Sequence, residues 1–228
     1  MSNLEQQTID KLFRDLIRVY STSATSMIGL DAIKMAITEL ACDEAGLADE
    51  INKLSDSIKK TQPRMFPLDN LMLILDREVQ SLLNANQLTK KSIINLIDDF
   101  KLRLDSDLDS LIQKSLEWIE DGDFIVIHSI EENIENLIPE ASQRGKKFKI
   151  LVLKQDIITT GKILKILREN NIDFEVIPEY DLVHYFGEIT KLFIGTQALT
   201  NDNYIVCDSG TSNIVSECHI HKVPICLF

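Results

Sequence analysis

The chain is 228 residues long, 44% apolar and 26% charged, a composition that excludes disordered, collagen-like and membrane-embedded classes. Its formal charge is −12, spread evenly: 14 bases against 20 acids up to Glu120, and 10 against 16 beyond it. A uniformly acidic surface repels phosphodiester backbones and anionic lipid, so neither nucleic acid nor a membrane is expected as a direct ligand.

The opening stretch, MSNLEQQTIDKLF, has no basic start followed by an apolar run, and no segment reaches the apolar length of a membrane span. A cytoplasmic protein is expected. Up to about Ile119 the apolar residues recur at three and four, which is the helical period. Leu12, Phe13, Leu16, Ile17 and Tyr20 form a first stripe, and Met27, Leu30, Ile33, Met35, Ala36 and Leu40 a second. A third helix is predicted over Asp43 to Lys60, with Leu47, Ile51, Leu54 and Ile58 on one face and Thr61-Gln62-Pro63 as its stop. A fourth starts near Pro67 and is expected to turn Leu68, Leu71, Leu73, Ile74 and Val79 inward. The last begins near Thr89 and keeps its stripe through Ile93, Ile97, Leu108, Ile112, Leu116 and Ile119, as one long helix or two broken near Asp105. Residues 1–120 are therefore predicted to be an all-helical domain.

From Asp121 the pattern changes to short β-branched runs alternating with helical stretches. Phe124 to Ile127, Lys149 to Leu153, Phe174 to Ile177, Lys191 to Ile194, Tyr204 to Val206 and Ile225 to Phe228 suit strands. Glu131 to Gln143, Ile157 to Glu169 and Gly210 to His221 suit the helices between them. The alternation predicts an α/β fold with a Rossmann-like, mostly parallel sheet over residues 121–228. Ligands of such sheets collect beyond the C-terminal strand ends. The residues to question are therefore His128 and Ser129, Lys154 to Asp156, Gly195 to Ala198, and Cys207 to Thr211.

The dense basic run Arg144, Lys146, Lys147 and Lys149 falls where a helix ends and a strand begins, a place where basic side chains complement the helix dipole. Neither G-x-G-x-x-G nor the P-loop pattern occurs, so nucleotide cofactors have no sequence support and no cofactor is expected. Cys207-Asp-Ser-Gly-Thr211 joins a strand to a helix, and the free N–H groups of Gly210, Thr211 and Ser212 would form a weak anion cradle there. The alternative is a plain cap by Asp208 or Ser209, the commoner outcome on local chemistry. His128 could serve as an acid or base, but with no carboxylate or thiol assigned beside it a structural role is favoured. Cys207, Cys218, His219, His221 and Cys226 gather soft ligands within twenty residues, yet without the tight pairing that preorganises a zinc site, and no metal is expected.

Gly122-Asp-Phe-Ile-Val-Ile-His128-Ser, Gly145-Lys-Lys-Phe-Lys-Ile-Leu-Val-Leu153, Ile194-Gly-Thr-Gln-Ala198 and Gly210-Thr-Ser-Asn213 through Val223-Pro-Ile225 share their order and spacing with a known family. It joins the alpha, beta and delta regulatory subunits of translation initiation factor 2B with isomerases of methylthioribose 1-phosphate and ribose 1,5-bisphosphate. Gln62-Pro63-Arg64-Met65 to Asn70 also resembles that family's Arg-Pro-Thr segment, so the likeness covers nearly the whole chain. The departures are informative. By this resemblance, the isomerases' catalytic cysteine after the strand-end histidine is Ser129 here, and their aspartate after Gly-Ala is Gln197. Their phosphate-gripping arginine motif is Lys154-Gln155-Asp156, and their Asn-Lys-Ile-Gly-Thr is Cys207-Asp208-Ser209-Gly210-Thr211.

Losing fixed cations while gaining Asp208 weakens a phosphate site. The resemblance thus implies a shortened, non-enzymatic member that dimerises and binds translation initiation factor 2 or a related complex. Two alternatives remain: an isomerase of a phosphorylated pentose using an unusual residue set, or a sensor that holds a phosphorylated small molecule at Gly210 and Thr211 without turnover. His128, Ser129 and Gln197 would line the pocket in either.

Overall fold

The computed structural model describes residues 10–16, 20, 22–41, 44–62, 66–200 and 202–228. Ile17, Asp43 and the Pro63-Arg64-Met65 segment singled out above lie outside them. The chain divides into two compact units, Met1–Asp107 and Leu108–Phe228.

The first unit is helical, as its apolar periodicity demands. After helical turns at 10–16 come α1 (Thr22–Glu39), α2 (Glu44–Lys59), α3 (Phe66–Asn84) and α4 (Lys90–Ser115), the last of which runs on past Asp107 into the second unit. Thr89 and Ser92 cap α4 reciprocally: the Thr89 N–H donates to Ser92 Oγ (2.9 Å) and the Ser92 N–H to Thr89 Oγ1 (3.0 Å). The helix is one unbroken element, without an interruption at Asp105. One core gathers Leu30, Ile33 and Ile37 of α1, Leu47 and Ile51 of α2, Leu68, Met72 and Leu75 of α3, and Ile93 and Ile97 of α4. The expected inward face of α3 needs correction. Leu73 and Ile74 are exposed, and Met72 and Leu75 are buried in their place. The buried apolar set 68, 71, 72, 75, 79 is a single stripe at spacings of three and four, and Leu73 and Ile74 fall beyond its edge. Met35, Leu102 and Leu104 likewise face outward.

The second unit holds a five-stranded sheet in which every pairing is parallel. Its strands are β1 (Phe124–His128), β2 (Lys149–Lys154), β3 (Asp173–Pro178), β4 (Lys191–Ile194) and, at the far edge, β7 (Ile225–Leu227), in the order β3-β2-β1-β4-β7. Alternate residues of each strand point to opposite faces and build two cores. Ile125, Ile127, Ile150, Val152 and Phe193 pack with α5 (Glu132–Gln143) and α6 (Ile157–Glu169). Phe124, Val126, Leu151, Leu192 and Ile194 pack with Ile214 and Cys218 of α7 (Thr211–Ile220) and with Leu182 of a 3₁₀ turn, Glu179–His184. This is the Rossmann-like arrangement that the alternating pattern implies.

One expected strand behaves differently. Ile205–Val206 (β6) pairs antiparallel with Ala198–Leu199 (β5) in a separate two-stranded ribbon. Bonds from Gln197 N to Val206 O (2.8 Å) and from Thr200 N to Tyr204 O (2.8 Å) close it, with Asn203 left-handed in its turn. Local pairing thus removes this segment from the main sheet. Because the chain leaves β1 in one direction to build β2 and β3, and returns to the other side for β4, the switch point lies between the ends of β1 and β4. That is where a doubly wound sheet opens a crevice.

Candidate functional site

β1 ends in His128, whose side chain is fully buried, and the chain then turns at Ser129 with φ of +51°. The turn is braced by β4. Gly195 donates its N–H to the Ser129 carbonyl (2.8 Å), and a β-carbon at Gly195 would stand 2.3 Å from that oxygen and 2.7 Å from Glu131 N. Glycine is therefore a steric requirement at the end of β4.

The His128 ring is held on both sides. Nε2 lies 2.8 Å from Glu179 Oε1, and Nδ1 lies 3.1 Å from Thr211 Oγ1. A ring protonated on Nε2 donates to Glu179 and accepts the Thr211 hydroxyl. That hydroxyl also lies 2.8 Å from the Asp208 carbonyl oxygen, and it has one proton to give. The carboxylate missing from the linear reading of His128 is thus supplied by Glu179, in the 3₁₀ turn after β3. The structure also corrects the expected cap of α7. Neither Asp208 nor Ser209 caps it; the N-cap is Gly210, left-handed at φ of +93°, without a side-chain cap. Glu179 crosses this glycine, because a β-carbon there would lie 2.9 Å from Oε2 and 3.3 Å from Oε1. Thr211 is buried and Ser212 exposed.

Asp208 faces the opposite wall, between two amides. Gln155 Nε2 donates to its Oδ2 and Gln197 Nε2 to its Oδ1, each at 3.0 Å, while its own N–H donates to Ser129 Oγ (3.1 Å). Gln155 Oε1 is buried without a partner. Asp156, next in the chain, caps α6 by accepting from Ile158 N (2.8 Å) and Thr159 N (3.0 Å). The Thr159 hydroxyl first, and then those backbone N–H bonds, hold its carboxyl below the ordinary range. Cys207 sits against Ser129: burial first, then the Asp208 charge, pushes its thiol up, and the Ser129 hydroxyl pulls the other way. Of the residues picked from sequence, Ser129 and Gln197 therefore meet around Asp208, and His128 meets Thr211, while Gly210 lies against Glu179. Glu179 and Gln155 complete these contacts, and only Gln155 fell inside a stretch marked for scrutiny.

The remaining candidates are spent elsewhere. Cys226 is buried on the sheet face covered by α5 and α6, Cys218 on the other, and the His221 ring stacks on Phe186 at 3.9 Å. Among the described residues no group of three His, Cys, Asp or Glu side chains could hold a metal ion. Arg144 pairs with Glu140 (2.9 Å), Lys146 donates to the Ile119 carbonyl (2.5 Å) and Lys149 pairs with Glu175 (2.6 Å), so three of the four basic side chains of that run have partners within the chain. Among the described residues no helix is long and apolar enough to cross a membrane.

Comparison with known proteins is consistent with the likeness read from sequence. Over 208 residues the chain is 26% identical to a Pyrococcus horikoshii protein described as translation initiation factor eIF-2B subunit 2-like, covering 91% of this chain and 71% of the relative. It is 21% identical over 213 residues to a ribose 1,5-bisphosphate isomerase of Haloferax volcanii, covering 92% of this chain and 65% of that one. The tetrameric eIF2B-beta2-delta2 complex from C. thermophilum contains a chain of the same fold, with a TM-score of 0.79 at 12% identity over 97% of this chain and 77% of that one. The model of the initiation factor 2 subunit family matches residues 18–227, and the chain belongs to that family.

Proposed function

We propose that the chain is a non-catalytic regulatory or scaffold protein that acts through protein partners and self-association, in the manner of the alpha, beta and delta subunits of translation initiation factor 2B. One observation carries this reading: the charged groups hydrogen-bonded to His128, Gln155 and Gln197 at the strand ends are the carboxylates Glu179 and Asp208. A sugar phosphate brought there meets like charge where a binding site would offer a cationic fork. The tetrameric beta2-delta2 complex that holds a chain of this fold supports assembly with protein partners, and the family resemblance adds translation initiation factor 2 or a related complex as partner and a homodimer as the chain's own state. The test is twofold. Light scattering on the purified protein is expected to give a dimer mass, and immobilised protein is expected to retain purified translation initiation factor 2; a monomer that retains none defeats the proposal.

A second reading has one specific observation behind it. The thiol and carboxylate absent at Ser129 and Gln197 are present on the facing segment, as Cys207 against Ser129 and Asp208 against Gln197. An isomerase of a phosphorylated pentose could draw its proton-transfer groups from there. We expect ribose 1,5-bisphosphate and methylthioribose 1-phosphate to remain unconverted at high protein concentration. Turnover that disappears in Asp208→Asn and in Cys207→Ser would establish the isomerase instead.

A further inference from the structure

Resting on the protein-partner reading above, we infer that the C-terminal end of the sheet is a docking surface for a partner protein segment that carries Arg or Lys beside bulky apolar residues. The apolar part of this surface comes from three elements. Ile157 and Ile158 open α6 just past β2, Tyr180 and Val183 stand in the 3₁₀ turn just past β3, and Leu199 and Ile205 pair across the ribbon past β4; all six are exposed. The backbone sets the first two pairs side by side, because β2 and β3 finish level, with Lys154 opposite Pro178. Side chains draw in the third. Gln155 and Gln197 both donate to Asp208, so the residues just before Ile157 and the base of the ribbon converge on one carboxylate. Large apolar side chains left in water together at one end of a sheet are the mark of an interaction surface rather than of scattered exposure.

Charge at the same end selects the occupant. The stretches that leave β1, β2, β3 and β4 (129–131, 155–156, 179–184 and 195–210) contain Glu131, Asp156, Glu179, Asp181, Asp202 and Asp208, and neither Lys nor Arg. Lys154, the last residue of β2, and His184 are the basic groups beside them, and both are exposed. Gln155 Oε1, buried without a partner, leaves an acceptor over on the wall that holds Asp208. Carboxylates and acceptors framed by apolar side chains suit a guanidinium or ammonium group with an apolar neighbour. A second copy of this chain fits poorly here: its own strand-end face carries the same charge, and three of the four side chains in its dense basic run are paired within the chain. Nucleic acid and anionic lipid are repelled by the same carboxylates.

The test uses a synthetic peptide of about a dozen residues that alternates Leu and Arg, titrated into the full chain and read by calorimetry and amide chemical shifts. Saturable binding is expected, with shifts centred on 155–158, 179–183 and 197–208. Peptides that replace Arg by Glu, or Leu by Ser, are expected to bind at least about tenfold more weakly, since charge and apolar contact are both required. Asp208→Asn combined with Glu179→Gln should weaken the Leu-Arg peptide at least about fivefold, whereas Asp105→Asn, which removes an exposed charge from the first unit, should leave it unchanged. Should the double variant not fold, Ile157→Ser serves in its place: that side chain is 86% exposed, so its loss spares the core, and about a threefold weakening is expected. No binding, shifts spread over the whole acidic surface, or equal affinity in every folded variant overturns the inference. The peptide is neither translation initiation factor 2 nor a second copy. Peptide bound here by a monomer that retains no factor therefore defeats the earlier proposal alone, and retained factor without peptide binding at this end defeats this inference alone.

Discussion

Gly195 is where backbone meets backbone. Alanine there would put a β-carbon 2.3 Å from the Ser129 carbonyl oxygen, an atom that cannot rotate away as a flexible side chain could. Gly195→Ala is expected to cost about 1–3 kcal/mol, the usual range for overpacking, and to lower the melting temperature of the protein. The same substitution at Gly161 or Gly187, where a β-carbon meets nothing within 4 Å, is expected to have much less effect. Ser129, His128, Gln197 and Gly210 could be picked from sequence because each sits just past a recognisable strand or opens a recognisable helix. Glu179 could not. Nothing in Pro178-Glu179-Tyr180 distinguishes a carboxylate that reaches His128, 51 residues earlier, from one that faces solvent. Side-chain reach across a crevice has no linear period, and that is why the pairing of Cys207 with Ser129 and of Asp208 with Gln197 was also invisible.

At the scale of elements, α7 shows how burial governs reactivity. Cys218 on its inner face is buried, and that burial, reinforced by the nearby Glu217 charge, pushes its thiol up to about 11. Only thiolate reacts, so brief alkylation of the folded protein at about pH 8 is expected to label Cys207 before Cys218, and denaturant to abolish the difference. Peptide mapping by mass spectrometry reads the order directly; equal labelling in the folded state would show that α7 opens readily. The helices were legible from an apolar stripe with a period of 3.6, and the parallel strands from the short continuous apolar runs that burial on both faces requires. What was not legible followed from geometry at the edges of these patterns. Leu73 and Ile74 are apolar residues just outside a buried stripe, β6 is claimed by a hairpin, and the 3₁₀ turn after β3 is too short to carry a period at all.

At the scale of the sheet unit, Asp123 ties the entrances of β1 and β4 together. It accepts from Lys191 Nζ (2.7 Å), Thr190 Oγ1 (2.7 Å) and Glu120 N (2.7 Å) while itself buried. Burial raises the carboxyl, but those bonds outweigh it and hold Asp123 below the ordinary range. A carboxyl depressed in the folded state contributes stability that is present above its unfolded value, about 3.9, and is lost as pH falls through its folded value. Asp123→Ala leaves Lys191 without its buried partner and is expected to cost about 3 kcal/mol or more at neutral pH. The melting-temperature gap between this variant and wild type should narrow once pH drops below about 4. A gap independent of pH would mean that the loss is one of packing alone.

The central strand of the sheet is also the first to be made. β1 gains β2 and then β3 along one edge as synthesis proceeds, but its other edge has no partner until β4 follows, after α5, α6 and the 3₁₀ turn have all been added. During that interval a nascent half-sheet presents Ile125 to Ile127 with open backbone donors and acceptors, the kind of surface that invites strand addition from another chain. Slowed translation between β3 and β4 would lengthen the exposure, so the aggregation of this protein during production should respond to codon usage over residues 179–190 more than to equal changes over residues 207–222, made after β4 has covered that edge.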